Sequence, residues 1–553
     1  MEQKQPEKEF NLLDEPWILV KTRTGEVKEW SLLEVFRHAH EAQQLAGELP
    51  TQDIAVMRLL LAIMHGAFIT SDIDDDEMAI ACWKEMWAEK KFMYEIVAEY
   101  LERYRERFWL FHPQYPFYQV ANLKSVMDEY RIKNVKGYKV KEEKLKSVAR
   151  LNGELFQSDN GPRLFPARTG EEQGSLDYAE AARWLLHLNG FDDNSAKKPV
   201  PKGVGYLGQL GLVYVQGANL FETLMLNFVL LDDRNEIFAD NEACSQAYWE
   251  KPVCTIIENP IVQPSAQKDL LSMQSRRILL KRSQGKVIGY LSTMGDYFAE
   301  GQALTNEVMT LWKLDEKKGI VPQKHSPDRQ LWRDFSALLC QECNSQNRMA
   351  GIIHWLRVLQ ESDGMAGLWD GSVKICVVGV YYEFKATAWQ IVDYIQDSLQ
   401  INSFLFRELG KQWVEEISRV LGMTDKAVSA LGWLSADIAA ADGNSNKDYR
   451  TAVAQRTRED GYHLLDGIFR NWLLSIDASG DDLAPKMSEW LLLAKQIILH
   501  RGEELLKECS EEALTFFLKQ DDDNKAGRLN AFEAFRKFKG NINQMLGQEG
   551  KDE

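Results

Sequence analysis

The sequence predicts an α+β fold in which a large mixed α/β domain precedes an all-α four-helix bundle. Short β-type runs and helical patterns are mixed over about the first 390 residues, whereas long helical patterns cover the remainder. A chain of 553 residues also exceeds what one hydrophobic core can bury. We therefore expect two domains, over residues 1–390 and 391–553.

The first domain is predicted to begin with a β-hairpin. The turn Asp14-Glu15-Pro16 disfavours helix and precedes the apolar run 17–20, and Thr24-Gly25 fits a tight turn into a second strand over 27–30. Further along the domain we predict two helices within 50–107 (the second over 79–105), an irregular aromatic connector over 108–119, a helix over 178–188, a strand over 212–215, a helix from 220, short strands within 250–300 and 370–384, and a helix over 327–360.

After residue 388 the β-type runs give way to helical periodicity. The predicted helices cover 389–422, 424–442, 448–476, 484–508 and 511–546, and glycines or short polar runs separate them. Helices of 20–28 residues would be roughly 30–40 Å long. Long antiparallel helices joined by short polar connections are typical of a four-helix bundle.

Composition and charge restrict the classes of function. The formal net charge of −17 argues against a protein that coats nucleic acid, so a nucleic-acid role needs local basic patches. Candidate patches are the eight basic residues within 131–150, the group Lys197, Lys198 and Lys202, and the group Arg276, Arg277, Lys281, Arg282 and Lys286. The alternative remains that each charge run is a solvated face. The polar N-terminus, the lack of a long apolar run and seven scattered cysteines predict a cytoplasmic protein with no membrane contact.

A catalytic or metal-binding motif is not recognisable in the sequence. Cys340 and Cys343 form the only C-x-x-C pair, and the phosphate-binding and nucleophile motifs are missing. We expect no enzyme activity, no cofactor and no metal. Two alternatives remain open: a metal-dependent nuclease or other enzyme with a helical cap, its site hidden among 83 acidic residues, and a scaffold that binds only protein.

Six segments of the chain carry recognisable sequence patterns. They are 11–20 (NLLDEPWILV), 108–119 (FWLFHPQYPFYQ), 164–166 (LFP), 178–186 (YAEAARWLL), 217–227 (GANLFETLMLN) and 273–277 (MQSRR). In this order, and on a chain with a helical C-terminus, they resemble the CasA family of large subunits of type I-E CRISPR Cascade.

The resemblance implies a non-catalytic subunit of a surveillance complex. Such a subunit recognises the protospacer-adjacent motif (PAM) in double-stranded target DNA, helps to separate the strands and recruits a helicase–nuclease. Its partners would be crRNA, the other Cascade subunits, the target duplex and the helicase–nuclease. In this division of labour the protein reads the PAM and the backbone, while base pairing reads the target.

The resemblance also assigns candidate site residues. The PAM-contacting loop and the strand-separating wedge would comprise Asn194, Ser195, Ala196, Lys197, Lys198, Lys202, Gly203 and Gly205, with Lys385, Ala386 and Thr387 at the wedge. The loop that contacts crRNA and neighbouring subunits would include Asn160, Gly161 and Phe165. For Phe165 a core position is an equal alternative, and Tyr381 and Phe384 could likewise be core residues at a strand end.

This chain departs from the family pattern within these loops. Glycines, which let a backbone approach DNA closely, come only at 203 and 205. Relatives commonly carry Gln where Lys385-Ala386-Thr387 stand, and the region 298–304 lacks the lysine that some members insert into the minor groove. The PAM preference is therefore left open, and Lys281 or Lys313 could replace that lysine.

Overall fold

The computed structural model describes most of the chain in two compact units. The first unit comprises Met1–Pro327, Glu342–Ala366 and Lys374–Ser398, and the second comprises Asp328–Gln341, Gly367–Val373 and Leu399–Glu553. The described residues are 8–69, 73, 75–137, 139–140, 145–152, 174–193, 203–238, 246–261, 266–298, 306–339, 348–362, 371–385, 388–444, 446–477, 480–515, 517–520 and 526–547.

The predicted N-terminal hairpin is confirmed. Its two strands pair antiparallel, and Trp17, which precedes the first of them, is fully buried and donates its indole N–H to the carbonyl of Leu12 at 3.0 Å. The elements of this region are β1 (Glu9–Asn11), β2 (Ile18–Thr22), β3 (Val27–Trp30), α1 (Leu32–His38), β4 (Ala42–Leu45), α2 (Pro50–Phe68), α3 (Asp76–Glu89), α4 (Tyr94–Arg103), β5 (Trp109–Phe111), α5 (Leu123–Asn134) and α6 (Tyr178–Phe191).

The single helix predicted over 79–105 is wrong, because the structure divides this stretch into α3 and α4. Lys90 adopts the left-handed conformation (φ 54°) and its N–H bonds the carbonyl of Trp87, which ends α3. By contrast, α2 is a single helix buried on nearly all sides, as expected for a helix that is apolar around its circumference.

Small sheets and short helices make up the rest of the first unit. The longest pairing joins two antiparallel strands over 276–294, and a three-stranded sheet has the order β14-β13-β6. The elements are β6 (Leu212–Gln216), α7 (Leu220–Leu226), β7 (Asn259–Ile261), α8 (Gln267–Leu271), β8 (Arg276–Ser283), β9 (Lys286–Met294), β10 (Asp296–Phe298), β11 (Trp312–Asp315), β12 (Gly319–Pro322), α9 (Phe335–Leu338, in the second unit), α10 (Gly351–Glu361), β13 (Ser372–Lys385) and β14 (Ala388–Asn402).

Two further predictions of helix are wrong. The stretch 327–360 contains a 3-10 turn, the short α9 and α10 instead of one helix. Residues 389–402, predicted as the start of a bundle helix, form strand β14, which carries the first unit to Ser398. Hydrogen bonding to the neighbouring strand β13 outweighs the helical spacing of apolar residues in this segment.

The second unit contains the four-helix bundle, so the predicted fold class is confirmed. Its core includes Trp490, whose ring lies 5.0 Å from that of Phe469 and whose indole N–H donates to Thr424 at 3.0 Å. Gly422 lies inside one continuous helix, and a short hairpin interrupts the helix predicted over 511–546. The elements are α11 (Lys411–Ala441), α12 (Lys447–Leu474), α13 (Leu483–Glu508), α14 (Glu511–Leu514), β15 (Phe517–Gln520), β16 (Ala526–Leu529) and α15 (Ala531–Met545).

Candidate nucleic-acid interface

The predicted DNA-binding residues fall on two segments of the first unit, and the structure describes the base of each. Gly203 and Gly205 follow residues 194–202, which are predicted to form a loop and which we call the 194–202 loop, and Lys385 ends β13 with its backbone described. The other predicted residues lie outside the described part of the chain and stay predictions: Asn160, Gly161, Phe165, Asn194, Ser195, Ala196, Lys197, Lys198, Lys202, Ala386 and Thr387.

The two ends of the 194–202 loop are held together by backbone contacts. The N–H of Gly205 donates to the carbonyl of Asp192 at 2.8 Å. Gly205 is buried, and a Cβ at this position would overlap the carbonyl of Gly190. Close packing of two chain segments therefore requires glycine here, independently of any approach to DNA.

Arg276 binds both ends of the same loop. Its Nε donates to the Asp192 carboxylate at 2.8 Å, and its Nη2 donates to the carbonyls of Asp192 (3.1 Å) and Gly203 (2.8 Å). The residue is 1% exposed, and a third nitrogen, Nη1, donates to the carbonyl of Ser275. A planar guanidinium with several fixed donors can satisfy this set, which a lysine ammonium cannot reproduce.

The neighbouring residues of the MQSRR segment also serve internal packing. The backbone N–H of Arg276 donates to the side chain of Asn189 in α6 at 3.0 Å, and the Ser275 hydroxyl donates to the Asn189 carbonyl. Arg277 is fully buried and pairs with Asp296 at 2.7 Å. The interpretation of Arg276 and Arg277 as an exposed basic patch is therefore wrong, while Lys281 on the same strand is exposed.

Strands β13 and β14 form a hairpin beside the base of the 194–202 loop, since only residues 386–387 join them. The Tyr382 hydroxyl on β13 donates to the carbonyl of Phe191 at 2.8 Å, and the Ile391 N–H on β14 donates to the Asp193 carboxylate at 3.1 Å. Burial, together with repulsion from Asp192, raises the pKa of Asp193 to about 6, although the Ile391 N–H opposes this rise.

Two aromatic side chains are exposed at the tip of this hairpin. Phe384 is 60% exposed and Trp389 is 42% exposed, and their rings meet edge to face with centroids 5.5 Å apart. Phe384 is thus not a core residue, and neither is Tyr381, which is 37% exposed. The sequence prediction missed Trp389, because 389 was assigned to a helix; recognising a strand with two large apolar residues near a short turn would have identified it.

Two other kinds of feature, a metal-binding cluster and a membrane-spanning helix, are not found among the described residues. Within these ranges no group of three or more His, Cys, Asp or Glu side chains is arranged to hold a metal ion, and Cys340 and Cys343 lie outside them. Across the described helices, none combines the length and the apolar character that a membrane crossing demands. Lys313, proposed as a substitute for the missing lysine, is exposed on β11.

Comparison with known proteins identifies the family to which this chain belongs. The sequence profile of the family described as CRISPR-associated protein Cse1 matches residues 11–500. CasA/Cse1 of Thermus thermophilus is 26% identical over 493 residues, which cover 85% of this chain and 88% of that protein. The crystal structure of Thermobifida fusca Cse1 superimposes with a TM-score of 0.76 at 30% identity, covering 97% of this chain and 98% of that one.

A chain of a solved CRISPR RNA-guided surveillance complex has the same fold. It superimposes with a TM-score of 0.71 at 18% identity, covering 97% of this chain and all of that one (100%). Because the profile match extends over most of the sequence, the chain belongs to the Cse1 family, whose members are also named CasA.

Proposed function

We propose that this protein is the large subunit of a type I-E Cascade complex that recognises the PAM in duplex DNA and helps to separate the strands. It would do so without catalysis of its own and would recruit the helicase–nuclease that degrades the target. Membership of the Cse1 family supports this role, as does the fold shared with a chain of an RNA-guided surveillance complex. The proposed partners are crRNA, the other Cascade subunits, the target duplex and the helicase–nuclease.

The observation that carries the proposal is the exposed aromatic pair at the tip of the β13–β14 hairpin, beside the anchored 194–202 loop. Apolar side chains inserted between base steps are a common way to unstack a duplex, at a cost of a few kcal/mol per step. Phe384 and Trp389 offer such side chains. Lysines at 197, 198 and 202 are suited to phosphate contacts on the adjacent loop.

The charge of the chain fits a subunit that relies on its complex for DNA affinity. A net charge of −17 weakens the general attraction to phosphates, and this reduces binding of the free subunit to arbitrary DNA. In this proposal the C-terminal bundle packs against the small Cascade subunits and the target DNA. Tight, sequence-independent binding of DNA by the isolated chain would contradict it.

A PAM library tests the proposed function directly. Complexes reconstituted with and without this chain are incubated with target duplexes that carry randomised PAM positions, and bound DNA is sequenced. We expect enrichment of a PAM only when the chain is present. Equal PAM discrimination by the two complexes would refute the proposed function, as would an Mg²⁺- or Mn²⁺-dependent cleavage of the target by the purified chain alone.

A further inference from the structure

Helices α11 and α15 of the second unit border a groove that the candidate residues of the first unit do not explain. We call it the α11–α15 groove. Its volume is about 490 Å³, within the size range of ligand sites in proteins. The residues that line it extend from Asp425 to Asp437 on α11 and from Ala534 to Met545 on α15, with Tyr462 of α12 beside them. At 1.5 Å per residue, each of the two helices follows the groove for roughly 17 Å. The groove is therefore elongated.

An exposed tryptophan lines this groove. Trp433 is 63% exposed, the highest value for a large apolar side chain in the described part of the chain. Arg458 of α12 lies over its ring at 5.4 Å from the centroid, and a Cβ on Gly432 would overlap the arginine side chain. The arginine thus fits against α11 at this glycine and supports the indole. The supported ring presents a flat apolar surface to a ligand in the groove.

The charges that line the groove are unevenly paired. Lys426 and Lys537 are exposed, and no carboxylate among the described residues forms an ion pair with either of them. By contrast, the carboxylate of Asp425 lies 3.8 Å from Arg333, and Asp437 also has a partner. The charge that remains unneutralised in the groove is therefore positive, although the whole chain carries −17.

We propose that the α11–α15 groove binds single-stranded DNA, with a base stacked on Trp433 and phosphates contacting Lys426 and Lys537. Proteins that bind single strands combine a positively charged groove along the backbone with aromatic side chains on which the bases stack. The groove is also several times longer than the spacing of about 3.4 Å between phosphates along one strand, which favours a strand over a single nucleotide. The inference rests on the proposed function only for the origin of the strand, which is released when the target duplex opens.

The test measures binding of a labelled hexathymidylate to the full-length chain at low salt. We expect weak binding, with a Kd of about 0.1 mM by fluorescence anisotropy, as for other contacts made without sequence preference. In a parallel sample one thymine is replaced by 5-iodouracil, which crosslinks under light to an aromatic ring stacked on it. The crosslink should map to Trp433. Thymidine monophosphate should bind at least about tenfold more weakly than the hexanucleotide, because it makes fewer contacts along the groove.

Matched variants separate stacking from charge. Trp433→Ala should weaken binding about tenfold, whereas Trp433→Phe retains a ring and should stay within about threefold of wild type. Lys537→Gln should reduce the slope of log K against log salt by about 0.7, the value for one phosphate contact to a single strand. Both residues are exposed, so the variants should fold as wild type does. Val27→Ala, on β3 and outside the bundle, should change nothing.

The outcomes distinguish this inference from the proposed function. A missing crosslink at Trp433, or equal affinities of Trp433→Ala and wild type, would overturn the inference; a groove that docks an acidic protein segment would give this result. The PAM library tests the proposed function separately. PAM enrichment that depends on the chain, without a crosslink at Trp433, would support the proposed function and reject the groove as a DNA site. The crosslink without such enrichment would support the groove and reject the proposed function.

Discussion

At the scale of single residues, the polar groups at the base of the 194–202 loop bond one another and so stabilise the fold. Arg276 and Asp192 form an ion pair with almost no solvent exposure, and the arginine also satisfies three backbone carbonyls. Removing one partner of such a pair leaves a buried, uncompensated charge. The residues that flank the 194–202 loop, Asp192 and Gly203, are therefore held together by one guanidinium.

Replacing Arg276 should strongly destabilise the chain. For Arg276→Ala we expect the free energy of unfolding to fall by about 3–5 kcal/mol, because the Asp192 carboxylate and three backbone carbonyls lose a donor. Urea unfolding of the isolated protein measures this change. Lys281→Ala on the exposed face of the same strand is the control and should stay within about 0.5 kcal/mol of wild type; an equally small effect at Arg276 would contradict the described clamp.

Two glycine-to-alanine substitutions should act in opposite directions. Gly205→Ala places a methyl group against the carbonyl of Gly190 and should lower the thermal midpoint. Gly422→Ala adds a methyl group in open space on helix α11 and should stabilise the chain by about 0.5–1 kcal/mol. Differential scanning calorimetry compares them. Stabilisation by Gly205→Ala would mean that packing does not demand a glycine at that position.

At the scale of elements, the β13–β14 hairpin is where sequence reasoning and structure differ most. The strand β13 could be predicted from its apolar run 373–382, but β14 carries apolar residues at helical spacing and was predicted as a helix. Pairing with β13 decides its conformation, and such long-range pairing is not visible in local periodicity. The prediction therefore named Phe384 and missed its partner Trp389.

Truncating the exposed aromatic pair should impair function more than stability. The double variant Phe384→Ala/Trp389→Ala removes two rings that are 60% and 42% exposed and that contact each other, so the free energy of unfolding should fall by no more than about 2 kcal/mol. We expect the reconstituted complex to open a paired target at least about tenfold more slowly, because no apolar side chain would then be inserted between the bases that separate. Val27→Ala, which removes an exposed apolar side chain from β3, is the control and should leave the opening rate unchanged. Unchanged opening in the double variant would exclude the pair as a wedge.

At the scale of the whole molecule, the fold class, the N-terminal hairpin and the bundle could be predicted because each depends on local periodicity or on turns. The buried network around Arg276 could not, because a charged run in sequence looks the same whether it faces water or the core. Asp192, Gly203 and Arg276 are brought together by tertiary packing over more than 80 residues of sequence. The residues predicted at 194–202 lie outside the described part of the chain, and the structure describes the residues on either side of them.

Acid should destabilise the molecule through its buried histidines. Burial lowers the pKa of His187, which lies 3.0 Å from the Thr51 hydroxyl, to about 3, and does the same for His65. In the unfolded chain these groups have a pKa near 6.5, so the unfolded state binds more protons between pH 6.5 and about 3. The stability that each neutral ring contributes is complete above pH 6.5 and decreases by up to about 1.4 kcal/mol per pH unit as the pH falls.

Urea unfolding at several pH values measures this effect. We expect His187→Gln to show a shallower loss of stability between pH 6.5 and 4.5 than wild type. Asp53, whose pKa burial raises to about 7, titrates in the opposite sense in both proteins, and its contribution cancels in the comparison. Parallel pH profiles for the two proteins would show that His187 does not titrate differently in the folded and unfolded states.

The central claim is that the tip of the β13–β14 hairpin meets target DNA at the PAM-proximal edge. A photo-crosslinking amino acid at position 389, in the reconstituted complex bound to a PAM-containing target, tests it most directly. We predict crosslinks to the first protospacer nucleotides beside the PAM, and their loss on a target with a mutated PAM. Crosslinks spread evenly along the DNA, or obtained equally from position 27, which is exposed on β3, would contradict the account.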